Sequence, residues 1–145
     1  MAMKRETKRE LTAGDYKALA SFRYAVRRYL AFAAEGAQSA GLTSQQHQAL
    51  LAIKAGSLDS PLSVGDLAAQ LMIKHHSAVE LINRLERIGL ASRSADPDDR
   101  RKVFVGLTDA GERVLAALST RNLKELEIAA PSLAGLMEQL HLLEK

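Results

Sequence analysis

The chain has no cysteine and no tryptophan, three prolines in 145 residues, and an aromatic fraction of only 4%. Without cysteine there is no disulfide, no thiolate nucleophile, no cysteine metal site and no cysteine-based peroxide sensing. So few aromatic rings argue against a platform that stacks the bases of a single strand. Apolar runs reach only a few residues, too short to span a bilayer. The opening MAMKRETKRELTAGD carries both signs of charge and lacks the apolar core of a secretory signal, so a cytoplasmic protein is expected. No nucleophile elbow, phosphate-cradling loop or HExxH is present, so neither catalysis nor a cofactor is expected.

What is present suits one globular domain, with 47% hydrophobic and 26% charged residues. The net charge of +3 is unevenly spread. Residues 1–30 hold eight basic against three acidic residues, and residues 74–102 hold seven against five. Residues 109–145 reverse the balance, with four against six. Two basic segments suit a polyanionic partner, although solvated faces would carry the same charge.

Residues 63–108 organise the rest. Val64, Leu67, Ala68 and Leu71 recur at helical spacing behind Ser63, an N-cap with Asp66 three residues on. The chain turns at Met72-Ile73. A second run, Lys74–Ile88, then aligns Ala78, Leu81, Ile82, Leu85 and Ile88 on an inward face, and Gly89 is placed to end it. Two short helices joined by a tight turn are the layout of a helix-turn-helix. In that motif the start of the second helix meets base edges in the major groove, which makes His75, His76 and Ser77 the best-placed readers, with Lys74 before them also expected to bind DNA. Glu80, one turn on, can accept from a cytosine amino group. Arg84 and Arg87 lie farther along and suit phosphates or internal ion pairs.

Ala91–Ala95 and Arg101–Leu107 read as the strands of a hairpin around Asp96-Pro97-Asp98-Asp99-Arg100. A protruding arginine suits a narrow minor groove, where negative potential concentrates. The neighbouring acids would repel DNA unless paired. Asp99 is expected to brace Arg101 and leave Arg100 to project, with Lys102 beside them.

Helices flank this stretch. Leu19, Phe22, Val26, Tyr29, Leu30 and Ala33 predict a helix from Asp15 to about Gln38, with more apolar surface than a three-helix unit needs. Thr43-Ser44-Gln45-Gln46 has the spacing of a capping box, opening a helix that ends near Gly56. Thr108-Asp109 caps a further helix to about Ala130. Pro131 is expected to interrupt it, and Ser132 to open a last helix with Leu133, Leu136, Met137, Leu140 and Leu143 on one face. The fold class is mainly α with a small β-hairpin wing: a winged helix-turn-helix over 43–108, and terminal helices over 15–40 and 109–145 in the same domain.

At this point the residues resemble the MarR family of winged-helix transcription regulators. Asp99-Arg100-Arg101, five further residues, Leu107-Thr108 and then Gly111 are similar to the family's wing signature and the helix start after it. Leu81 to Leu90, reading LINRLERIGL, resembles the end of its recognition helix. Two departures bear on which DNA sequence is read: Lys74 and His75 stand where Ser and Pro are common, and Glu80 where a basic residue often faces DNA. The resemblance implies a homodimer whose terminal helices interlock, with two recognition helices and two wings on a pseudo-palindrome of double-stranded DNA, half-sites ~10 bp apart. It also implies a repressor released by a small anionic or aromatic effector.

Two other readings stay open. A winged helix can bind another protein instead of DNA, and Asp96, Asp98 and Asp99 beside the wing lend that some support. A metal-responsive regulator could draw on His47, His75, His76 or His141. Adjacent His75 and His76, however, point about 100° apart on a helix and make a poor joint site.

Overall fold

The computed structural model describes residues 10–139, which form two compact units. Residues 32–123 make one; residues up to 31 together with those from 124 onward make the other. The elements in chain order are α1 (Ala13–Ser39), α2 (Ser44–Gly56), β1 (Leu62–Ser63), α3 (Val64–Leu71), α4 (His75–Arg87), β2 (Ala91–Ala95), β3 (Val103–Leu107) and α5 (Asp109–Gln139).

Local chemistry sets most of these boundaries. The Thr43 hydroxyl accepts the Gln46 N–H and the Gln46 side chain accepts the Thr43 N–H, a complete capping box on α2. Ser63 and Asp66 repeat the arrangement on α3. Thr12 and Asp15 make the same reciprocal pair ahead of α1, so that helix starts two residues earlier than its apolar period suggests. Gly89, at φ 76°, closes α4.

The unit of residues 32–123 buries one apolar core. Leu50 and Ile53 of α2, Leu67 of α3, and Ile82 and Leu85 of α4 are its largest fully buried side chains. Val105 of β3 and Leu115 and Leu118 of α5 extend it. Three antiparallel strands lie in the order β1-β3-β2, with Ala91 opposite Leu107, Arg93 opposite Val105 and Leu62 opposite Val105 on the other side. The two-residue β1 follows Asp59-Ser60-Pro61 and is a strand only through its pairing with β3. Ile88 differs from expectation. It is the C-cap of α4 and half exposed, because the inward stripe ends with Leu85.

The other unit consists of the outer parts of α1 and α5. Leu19, Phe22, Val26 and Leu30 form an exposed apolar stripe along α1. Pro131 lies inside α5, not between two helices, and Ser132 is helical. A proline forgoes a single N–H, so a helix can run through it when its neighbours keep their bonds. Leu133, Leu136 and Met137 are half-buried, while Leu140 and Leu143 fall outside the described residues. No helix among the described residues is long and apolar enough to cross a membrane.

Candidate nucleic-acid interface

The packing of α4 decides which of its side chains remain available. With Ala78, Leu81, Ile82 and Leu85 in the core, Lys74, His75, His76, Glu80 and Arg84 are exposed and Ser77 is half-buried. Lys74 occupies the N-cap without a side-chain capping bond, so its ammonium is not tied to the helix start. The first turn of α4 therefore offers a lysine, two imidazoles and a hydroxyl beside unpaired helix N–H groups.

The wing is braced by its own acids. The Asp96 carboxylate accepts the Asp98 N–H at 2.8 Å, and the Asp99 carboxylate accepts the Arg101 N–H at 3.0 Å. Backbone bonds from Asp96 N–H to the Lys102 carbonyl and from Lys102 N–H to the Asp99 carbonyl close the turn. Asp99 thus holds Arg101 through the main chain, and no ion pair engages the guanidinium of Arg100 or Arg101 among the described residues. Both are exposed, as are Asp99 and Lys102.

Between α4 and the wing runs an open groove of about 300 Å³, lined by His75, Val79, Arg93, Arg101, Lys102 and the start of α3. Arg93 on β2 is tied to α4, its Nε donating to the Glu86 carboxylate at 2.7 Å. The sequence suits Arg84 and Arg87 to phosphates or internal ion pairs; the α4 side chain found in an ion pair among the described residues is Glu86. Hydrogen bonds from Ser63 hold the Asp66 carboxyl below its ordinary range, with Lys102 adding to the effect. The Glu86–Arg93 bond depends on how β2 packs against α4, which no local pattern reveals.

His47 is not part of this surface. It is buried on α2 with Nε2 unpartnered, and burial pushes its imidazole below the ordinary 6.5. Among the described residues no three His, Cys, Asp or Glu side chains gather as metal ligands.

A MarR family sequence model matches residues 40–102, the span that holds α2, α3, α4, β2 and the turn after it, and that stops just before β3. The transcriptional repressor NicR of Pseudomonas putida is 30% identical over 125 residues, covering 85% of this chain and 77% of NicR. The chain belongs to the MarR family of winged-helix transcription regulators. The transcriptional activatory protein BadR of Rhodopseudomonas palustris is 37% identical over 82 residues, 57% of this chain and about half (47%) of BadR. A MepR mutant from Staphylococcus aureus, solved bound to an oligodeoxyribonucleotide, has a TM-score of 0.67 at 26% identity, with 93% of this chain and all of that one covered. AbsC of Streptomyces coelicolor shares the fold, with a TM-score of 0.71 at 22% identity over 92% of this chain and 93% of AbsC. In a MarR-type frame, α4 is the recognition helix and the β2–β3 hairpin is the wing.

A second concavity lies wholly in the terminal-helix unit. It measures about 450 Å³ and is lined by Tyr24, Arg28, Tyr29, Glu125, Ile128 and Leu136, with small residues between them.

Proposed function

We propose that this MarR-family chain acts as a homodimer that binds a pseudo-palindromic site on double-stranded DNA and represses transcription until a small anionic or aromatic effector releases it. Lys74, His75, His76, Ser77 and Glu80 would meet base edges in the major groove. Arg84 would meet a phosphate, and Arg100, Arg101 and Lys102 the minor groove and its flanking phosphates. Asp99 would act indirectly, by holding the wing turn.

The observation that carries this reading is the pairing of an exposed, uncapped recognition-helix start with a wing in which two of three acids, Asp96 and Asp99, accept bonds from its own backbone. Asp96 and Asp99 brace the turn, which weakens the case for an acidic protein-docking wing. The exposed Leu19, Phe22, Val26 and Leu30 supply the apolar surface a dimer needs. Tyr24, Tyr29 and Arg28 around the second concavity suit an aromatic anion. The repressor assignment leans on NicR, whose match spans most of this chain.

The test is selection of bound duplexes from a random pool, then affinity across a salt series with the mass of the complex measured in parallel. A two-fold site, two chains per duplex and steep salt dependence are expected, because phosphate contacts release counterions. Arg100→Ala should flatten the slope of log K against log salt by about one contact. No enriched sequence together with a flat salt response would remove DNA as the partner.

A further inference from the structure

Three helix ends in the residue 32–123 unit close with the same pair of bonds, from one residue in left-handed backbone and from the residue after it. At the end of α1, Gly41 (φ 77°) donates to the Gln38 carbonyl and Leu42 to that of Ala37. At the end of α4, Gly89 (φ 76°) donates to Glu86 and Leu90 to Leu85. At the end of α3, inside the helix-turn-helix, Met72 donates to Ala69 and Ile73 to Ala68. This is a Schellman ending, whose left-handed position normally takes glycine. Met72 holds it at φ 53°, ψ 42°, and is the one non-glycine residue with positive φ among the described residues.

The side chain gains nothing from the fold in return. Met72 is 92% exposed, the most exposed of the large hydrophobic side chains described. A long apolar side chain in costly backbone, with nothing to pack on, points to a use outside the folded chain. Its place suggests that use. Two residues later comes Lys74, the N-cap of α4, followed by exposed His75 and His76, the end of a recognition helix that meets base edges. Among the groups on major-groove base edges, the apolar one is the C5-methyl of thymine. A methionine thioether, unbranched and adaptable, is well suited to cover it.

We infer that Met72 is a specificity residue that covers a thymine methyl group beside the bases read by α4. The inference rests on the DNA-binding reading above and adds a base preference to it.

The experiment uses the full chain and the duplex selected by the wild type. Each thymine of that duplex is replaced in turn by deoxyuridine, which deletes only the methyl group. One such replacement per half-site should weaken wild-type binding by about three- to fivefold, the effect of losing burial of one methyl-sized group. Met72→Gly and Met72→Asn both suit left-handed backbone. Each should melt no lower than wild type, bind the thymine duplex more weakly, and show no response to deoxyuridine at that position. Met72→Leu should keep part of the response. Equal sensitivity to deoxyuridine in all variants would overturn the inference, as would a uniform loss of affinity on every sequence. If the wild type selects no duplex at all, the DNA-binding reading fails first, and that result is separate.

Discussion

Glu86 on the recognition helix and Arg93 on the first wing strand are joined by a 2.7 Å Nε–carboxylate hydrogen bond, and both side chains are about one-third exposed. A pair so solvated adds at most about 1 kcal/mol to stability. Its larger effect is to neutralise a cation in the groove and tie wing to helix. Replacing either partner should therefore change urea-unfolding free energy little and shift DNA binding in opposite directions. Glu86→Gln frees Arg93 and should steepen the salt dependence by about one contact, while Arg93→Ala leaves an unmatched carboxylate and should weaken binding. Loss of binding in both variants would mean that the geometry of the wing, not its charge, dominates.

The start of α5 depends on a close approach at Gly111. The Thr108 hydroxyl donates to the Gly89 carbonyl and accepts the Gly111 N–H, and the Thr108 N–H donates to the Leu90 carbonyl. A Cβ on Gly111 would fall on the Leu90 carbonyl oxygen, which is backbone and cannot swing aside. Gly111→Ala is expected to cost about 1–3 kcal/mol or more, as overpacking does. Chemical denaturation checks this, and unchanged stability would mean the α4–β2 connection yields easily.

Much of this architecture was legible in the sequence because its signals are local. Thr43 with Gln46, Ser63 with Asp66, and Gly89 are read within a few residues, and the structure has each of them where the pattern places it. Four features were not legible. Leu62–Ser63 is too short to carry a period, and its strand identity comes only from pairing with Val105 and Phe104. Pro131 signals a break, yet α5 runs on. The Glu86–Arg93 bond depends on where β2 lies against α4. His47 and Asn122 stand in the inward period of their helices, His47 three residues before Leu50 and Asn122 four after Leu118, but their polarity argues against the burial they have. For the residues proposed to face DNA, the sequence indicated which side chains would be outward but not that Asp96 and Asp99 would cap the wing turn.

His47 makes stability depend on pH. Its folded-state pKa is lowered by burial from 6.5, so the unfolded chain takes up the proton first as pH falls. Destabilisation begins near the unfolded value of 6.5 and is complete once pH falls below the folded value. Above 6.5 both states are neutral and the group has no effect. Urea midpoints should be level from pH 8 to about pH 7 and decline towards pH 5.5. His47→Leu, which has no proton to take, should flatten that decline. The same decline in the variant would assign it to other groups.

Arg121 and Gly36 should show a reversal of sign. The Arg121 guanidinium donates to the Phe32 carbonyl at 2.7 Å and lies 3.6 Å from the centre of the Phe32 ring. Gly36, one turn on from Phe32 in α1, leaves the space that the guanidinium fills, and a Cβ there would displace it. In the wild-type background Gly36→Ala gains about 1 kcal/mol of helix propensity. Against this it loses a charge-assisted hydrogen bond of about 1.5–3 kcal/mol and a cation–π contact of about 0.5–2 kcal/mol, and the net effect is destabilising. With Arg121→Ala already in place there is nothing left to displace, and the same Gly36→Ala should stabilise by about 1 kcal/mol. A double-mutant cycle in urea measures both legs. If Gly36→Ala has the same sign on each, the guanidinium relocates at no cost, and Phe32 does not hold α5 to the inner part of α1.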